Sequence, residues 1–279
     1  MARLIETKAV EIDEYKIVYD QMLGEGSTIV LVHGITTYRF IWRNLFPFFP
    51  ENCRVVALDL LGCGDSDKPL DVSYSVKAHS ARLKKFVDKL GIKKFHLVGH
   101  DVGGGVSQIF AVNHHELLVS LTLLNSVAYD FWPVQPISAM RTPIIRQLAV
   151  ATLDLGMLKV IVNRGLFDHS KLTDDLLEKF SHPLKTKAGR KAFLHFARCL
   201  DNNNLLEIEA ELTELPVPTL IIRGAADPYL SEKISHRLKA GIPNSMLEIL
   251  ERGSHFIQED LPLELVKLIS ERFLSNDVT

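Results

Sequence analysis

Residues 95–108 read FHLVGHDVGGGVSQ. An apolar run ends in Gly99-His100-Asp101-Val102-Gly103, and a helix-like pattern begins at once. A strand that turns straight into a helix leaves little room at the reversal. Here two glycines frame the turn and an aspartate stands at its centre, where a serine would be the commoner residue.

The same strand form recurs outward from this stretch. STIVLVHG (27–34), CRVVALDLLG (53–62), KKFHLVGH (93–100), SLTLLNS (120–126) and PTLIIRG (218–224) are short, near-continuous apolar runs. Runs of this kind suit a parallel sheet covered on both faces. Helical patterns lie between them. Ser75 to Leu90 sets Val76, His79, Leu83, Phe86, Val87 and Leu90 near one face. Gly103 to His114 and Leu261 to Leu274 read as further helices. The alternation predicts an α/β fold, a mostly parallel sheet flanked by helices. KAVEI and YKIVYDQ, near the start, read as an antiparallel hairpin on its edge.

One segment breaks the alternation. From Phe131 to Leu212 no strand pattern stands out, and helical stretches are punctuated by Pro133, Pro136, Pro143, Gly156, Gly165 and Pro183. ELTELPVPTLIIRG then resumes the sheet. The expected organisation is therefore a core in two parts, 1–130 and 213–279, with a helical cap inserted at 131–212. A cap belongs over the carboxyl ends of the strands, where ligands bind in such sheets. Its stretch from Ile137 to Phe167 is rich in Ile, Leu, Val and Met and is expected to face the cleft.

Composition narrows the function classes. The chain has 279 residues, 47% hydrophobic and 24% charged, with a formal net charge of −2. That balance gives no electrostatic footprint for nucleic acid. The first fifteen residues are charged throughout and lack a signal-peptide core. The most apolar stretch, LAVATLDLGMLKVIV, is interrupted by Asp154 and Lys159, so no membrane partner is expected. Cys53, Cys63 and Cys199 are widely spaced and odd in number, which predicts reduced thiols, no metal and a cytoplasmic protein. The sequence sets no oligomeric state.

Gly-x-nucleophile-x-Gly between a strand and a helix is a nucleophile elbow. The helix that follows points its N-terminus at the site and favours negative charge there. Three further pieces fall where that reading needs them. His33-Gly34 ends an earlier strand and offers the backbone N–H of Ile35 as one oxyanion-hole donor, with that of Val102 as the second. Arg223-Gly224-Ala225-Ala226-Asp227 follows a later strand and supplies an acid. Gly253-Ser254-His255 follows MLEIL and supplies a base. Asn125 also follows a strand but cannot ionise, so Asp227 is preferred. Asp59 and Asp65 are expected to fix the loop after their strand.

With nucleophile, acid and histidine in that order, and with LDLLGCGDSDKP (58–69) and SHFIQEDLP (254–262) beside them, the chain resembles an α/β-hydrolase over nearly its whole length. An aspartate at the elbow is similar to haloalkane dehalogenases, fluoroacetate dehalogenases and epoxide hydrolases. The resemblance implies a small-molecule substrate and no cofactor. It implies that Asp101 attacks saturated carbon and that His255, oriented by Asp227, then drives water onto the resulting ester. A dehalogenase of small apolar organohalides is the leading expectation. An epoxide hydrolase, an acyl hydrolase or lyase using the same pocket, and a ligand-binding homologue without turnover are the alternatives.

The chain also departs from those relatives. Val102 stands where a tryptophan usually follows the nucleophile, so that indole N–H is missing. Ile35-Thr36-Thr37 replaces the residues that commonly follow His-Gly in haloalkane dehalogenases. The remaining substrate-binding candidates are Trp132 for a halide, Tyr129 or Tyr38 for a proton, Thr36 in the His-Gly loop, and Arg39 for a carboxylate. Arg39 has a place on the helix after the His33 loop as its structural alternative. Trp42 is expected to pack against the sheet.

Overall fold

The structure, a computed structural model, describes residues 3–130 and 156–274. Trp132, and the part of the apolar stretch before Gly156, lie outside the described residues.

The chain opens with an antiparallel hairpin. Strand β1 (Ile5–Ile12) pairs with β2 (Tyr15–Met22), Ile5 opposite Met22 and Ile12 opposite Tyr15. The two turn residues, Asp13 and Glu14, both have positive φ, 53° and 69°. Such a turn matches the right-handed twist of the strands it joins. The hairpin reaches the sheet through β2, which runs antiparallel to β4 (Arg54–Leu58).

Every other pairing is parallel. β3 (Thr28–Val32) lies between β4 and β5 (Phe95–Asp101), and β6 (Leu118–Ser126), β7 (Thr219–Gly224) and β8 (Ser245–Leu250) follow. The eight-stranded order is β1-β2-β4-β3-β5-β6-β7-β8. The strands that read as near-continuous apolar runs are the buried centre, as the two-sided cover of a parallel sheet requires. β6 begins two residues before the expected run.

Helix α1 (Val76–Lys89) is capped by Ser75, whose Oγ accepts the Ala78 N–H at 3.1 Å. It buries Val76, His79, Leu83, Phe86 and Val87, the face its spacing predicts. It packs on α2 (Val102–His114), which lies on β5 and β6.

Between β6 and β7 the described residues form helices alone: α3 (Leu158–Arg164), α4 (Asp174–Ser181), α5 (Lys187–Cys199), α6 (Asn203–Leu206) and α7 (Glu209–Leu212). Amphipathic spacing seats α4 and α5 on the core. Phe180 of α4 meets Phe256 and Phe40 edge-on, with ring centres 4.7 and 5.0 Å apart. Phe196 of α5 meets the rings of Tyr74 and His79. After β7 come α8 (Glu232–Gly241), which lies against β7 and β8, a short α9 (Ile257–Asp260) and α10 (Pro262–Phe273). No helix among the described residues is long and apolar enough to cross a membrane.

Because β3 to β8 run parallel, their carboxyl ends share one edge of the sheet. His33, Asp59, Asp101, Asn125 and Gly224 all stand at that edge or one step beyond it.

Candidate active site

Asp101 ends β5 and has φ 53° and ψ −121°, a conformation that non-glycine residues rarely adopt. The flanking glycines explain how the turn is tolerated. A Cβ on Gly103 would collide with the carbonyls of Val32 and His33, and one on Gly99 with Ser107 and the Gly103 carbonyl. The turn thus drives α2 against β3 and lifts the Asp101 side chain into the cleft.

The carboxylate receives two backbone donors. The Ile35 N–H lies 3.1 Å from Oδ2, and the Val102 N–H bonds the same carboxylate. What aims the Ile35 N–H is the residue before it. Leu60 N–H donates to His33 Nε2 at 3.0 Å, so Nδ1 carries the proton and donates to the Gly34 carbonyl at 2.7 Å. Thr37 adds its own N–H and hydroxyl to that carbonyl, each at 3.3 Å. In a trans peptide the C=O and N–H point opposite ways. Holding the Gly34 oxygen back therefore turns the Ile35 N–H forward, onto Asp101. Burial keeps His33 neutral, with its pKa down to about 4.

His255 Nδ1 lies 3.1 Å from Asp227 Oδ2. The other Asp227 oxygen accepts the N–H groups of Tyr229 at 2.8 Å and Leu230 at 3.2 Å. Burial alone would raise the Asp227 pKa, but His255 and these donors hold it below the usual carboxylate value. Burial alone would lower that of His255, but Asp227 and Asp101 carry it above the usual histidine value. Asp101 is raised by burial against the pull of His255 and its two N–H donors.

Asn125 organises these loops. It sits at φ 37° near the end of β6; its amide nitrogen donates to the carbonyls of Ser254 and His255 at 2.8 and 3.0 Å, and its amide oxygen accepts the Gly224 N–H at 2.9 Å. The amide thus ties the loop that leads to Asp227 to the loop that carries His255. His100 does similar work, with Nε2 donating to the His255 carbonyl at 2.9 Å.

A pocket opens above these groups. Asp101 and His255 lie at its floor with Ile35, Thr36 and Thr37. Leu158, Ile161, Phe180, Leu184, Phe193 and Phe196 come from α3 to α5 and the segments between them. No lysine or arginine lines it among the described residues. Tyr229 is the one tyrosine in its lining among those residues; its hydroxyl donates to the Ile161 carbonyl at 2.7 Å, and its ring meets that of His255 edge-on. The sequence reading passed over Tyr229, although it stands two residues after the acid.

Other expected positions fall elsewhere. Arg39 does not line the pocket. Its Nε reaches Asp20 at 3.0 Å, one Nη reaches Asp65 at 2.8 Å, and the other pairs with the buried Asp59. Each nitrogen of the guanidinium is engaged by these three carboxylates. Asp59 and Asp65 do fix their loop: Asp59 accepts the N–H groups of Arg39 and Asp65, both at 2.8 Å. Tyr129 turns away as well. Its ring lies 3.9 Å under the Arg237 guanidinium, and its hydroxyl donates to the Arg237 carbonyl at 3.3 Å. Tyr38 is buried against Phe40. Trp42 is wholly buried, edge-on to His100. Thr36 does line the pocket.

A family model for the alpha/beta hydrolase fold matches residues 27–262. The chain belongs to the α/β-hydrolase family. This α/β-hydrolase is 29% identical over 263 residues to haloalkane dehalogenase 2 of Mycobacterium tuberculosis, covering 90% of this chain and 89% of that protein. It is 27% identical over 257 residues to a 2-hydroxy-6-oxononadienedioate/2-hydroxy-6-oxononatrienedioate hydrolase of Cupriavidus pinatubonensis, covering 88% and 86%. The fold also superposes on a solved epoxide hydrolase with a TM-score of 0.85, at 19% identity, over 98% of this chain and 99% of that one. The protein is a hydrolase.

Proposed function

We propose that this α/β-hydrolase acts through a covalent alkyl ester on Asp101, and that its substrates are small, neutral, apolar organohalides. The observation that carries the reading is the Ile35 N–H on Asp101 Oδ2. A donor pair aimed at the carboxylate itself is useful when charge develops on that carboxylate.

With Oδ2 held by the Ile35 N–H, Oδ1 attacks the substrate carbon. A carbon–oxygen bond forms, the carbon–halogen bond breaks, and halide leaves with the electron pair. Neutral His255 then takes a proton from water, and the hydroxyl adds to Cγ of Asp101. Negative charge grows on Oδ2 and is met by the Ile35 and Val102 N–H groups. Collapse releases the alcohol and restores the carboxylate; His255 returns its proton to solvent. The balance is one water and one organohalide in, one alcohol, one proton and one halide out.

The apolar wall and the lack of a lining cation among the described residues support a neutral substrate. Epoxide opening would use the same two steps with a proton delivered to the leaving oxygen. The tyrosine at hand, Tyr229, already gives its proton to Ile161, which favours halide as the leaving group. Trp132 remains the candidate halide donor, with the Thr36 hydroxyl beside it in the proposal.

One experiment tests the chemistry. Single turnover of a bromoalkane in oxygen-18 water by unlabelled enzyme should give alcohol carrying ordinary oxygen, because the first oxygen comes from Asp101. Fully labelled alcohol in that turnover would mean direct attack by water, and the ester would be abandoned. A panel of haloalkanes, haloacetate and epoxides, followed by halide and diol release, assigns the substrate class.

A further inference from the structure

The loop that carries His255 is bound to the helical segment above it by a second carboxylate, one the proposed chemistry does not use. Asp260 is buried, 8% exposed, five residues after His255. Its Oδ2 accepts the Ser254 N–H at 2.9 Å. The same carboxylate accepts the Phe167 N–H, 3.0 and 3.1 Å from its two oxygens, and the Asp168 N–H at 3.3 Å. Ser254 immediately precedes His255. Phe167 and Asp168 follow α3, whose Leu158 and Ile161 line the pocket. One side chain therefore holds both the base's loop and the end of the pocket wall.

Neighbouring bonds run along the same seam. Phe256 N–H donates to the Gly165 carbonyl at 2.8 Å, and Lys171 Nζ donates to the carbonyls of Glu259 and Asp260 at 2.6 and 2.7 Å. On the far side, Arg43 and Asn44 hold the Glu259 carboxylate. The three N–H groups on Asp260 belong to loops and lack a ladder partner, so a buried acceptor is what satisfies them. An ionised carboxylate accepts without donating and serves all three; an amide in its place turns an NH₂ toward them.

We propose that Asp260 is a positioning residue that sets His255 against the pocket wall, so that filling the wall and placing the base are linked. The inference rests on the alkyl-ester reading for the step it affects, but not for the geometry it asserts. In Asp260→Asn, hydrolysis of the Asp101 ester should slow by about tenfold to a hundredfold, the range for a displaced catalytic group, with ester formation little changed. The variant turning over bromohexane should then accumulate an alkyl adduct on Asp101, seen by mass spectrometry. Equal slowing of both steps would overturn the proposal and leave Asp260 a structural residue only.

His255→Gln is the control for the chemistry. If it gathers no adduct from a substrate that wild type converts, the ester reading has failed by itself. Asp260 is then judged by nuclear magnetic resonance of the resting protein. Asp260→Asn should shift the His255 ring resonances, and the amides of Ser254, Phe167 and Asp168 should lose exchange protection together. Unchanged His255 resonances would overturn the proposal. Should the variant not fold, wild type decides: the Ser254 and Phe167 amides, both bound to the buried Asp260 carboxylate, should both be protected from exchange. An unprotected amide at either residue would overturn it.

Discussion

The backbone N–H of Ile35 points at Oδ2 of Asp101 from 3.1 Å, so the donor pair at this elbow addresses the side chain of the elbow residue itself. In the proposed chemistry that pair works in the second step, when water adds to the ester, and His255 is the base for the same step. Removing the histidine should separate the steps. His255→Gln is expected to react once and stop, with the alkyl mass located on Asp101 by peptide mapping. Repeated fast turnover by this variant would reverse the step order proposed here.

Asp227 sets the pH at which that base is free. Opposed by burial but carried by Asp227 and Asp101, the His255 pKa lies above the ordinary histidine value. Ester hydrolysis needs the neutral ring, so its rate should rise with pH; Asp101 carries no charge once esterified, so the midpoint for this step should lie below the resting enzyme's His255 value. Stability should move the other way. The charged pair contributes fully below the unfolded-state pKa, and the contribution is lost as pH rises through the folded-state value. Asp227→Asn should lower the kinetic midpoint and cut the hydrolysis step by about a hundredfold or more. A midpoint that stays in place, read from single-turnover rates across pH, would remove Asp227 from this role.

Much of this arrangement was legible in the chain. The G-x-D-x-G turn, the chain order of Asp101, Asp227 and His255, and the runs that became β3 to β8 announce themselves by local pattern. What stayed hidden depends on partners distant in sequence. His33 reads as the start of a loop until Leu60 is seen to donate to it, 27 residues away. Asn125 reads as a failed acid until Ser254 and Gly224 appear beside it. Arg39 looked available for substrate because nothing in its own segment shows Asp20, Asp59 and Asp65 closing around it.

That closure yields a prediction opposite to a substrate role. Arg39→Met leaves the Asp59 carboxylate buried without its cation, and breaking such a pair costs about 3–5 kcal/mol. The variant should unfold at markedly lower denaturant, yet keep its preference for neutral substrates over haloacetate. Among neutral substrates, each added methylene that enters the apolar wall should contribute about 0.8 kcal/mol to kcat/KM. Loss of haloacetate turnover alone, at unchanged stability, would return Arg39 to the binding site.

Acid should weaken the fold through His33. Its ring is held neutral between Leu60 and Gly34, and burial takes its pKa to about 4. In the unfolded chain it titrates near 6.5. The unfolded state therefore binds the proton first, and stability falls as pH drops from about 6.5 toward 4. The full difference is worth about 3 kcal/mol. His33→Gln should be less stable at neutral pH but should flatten this slope, which urea unfolding at several pH values would measure. An unchanged slope would point instead to His100, whose pKa burial lowers to about 3.

The leaving group decides between the halide and epoxide readings, and two tryptophans make it measurable. Trp42 is fully buried against His100, so bromide in solution reaches it poorly. Saturable quenching of fluorescence by bromide would then report Trp132. If Trp132 holds halide, Trp132→Phe should abolish saturable quenching and slow ester formation by about tenfold to a thousandfold, the effect of losing one donor to a developing anion. Ester hydrolysis should be unaffected, because halide has left by then. Quenching that stays linear in bromide, with Trp132→Phe fully active, removes this donor. The Thr36 hydroxyl, in the pocket wall beside Ile35, is the next candidate, and Thr36→Val should then carry the loss in the same step. If neither variant slows ester formation, halide departure has no donor among the proposed residues, and an oxygen leaving group takes the lead.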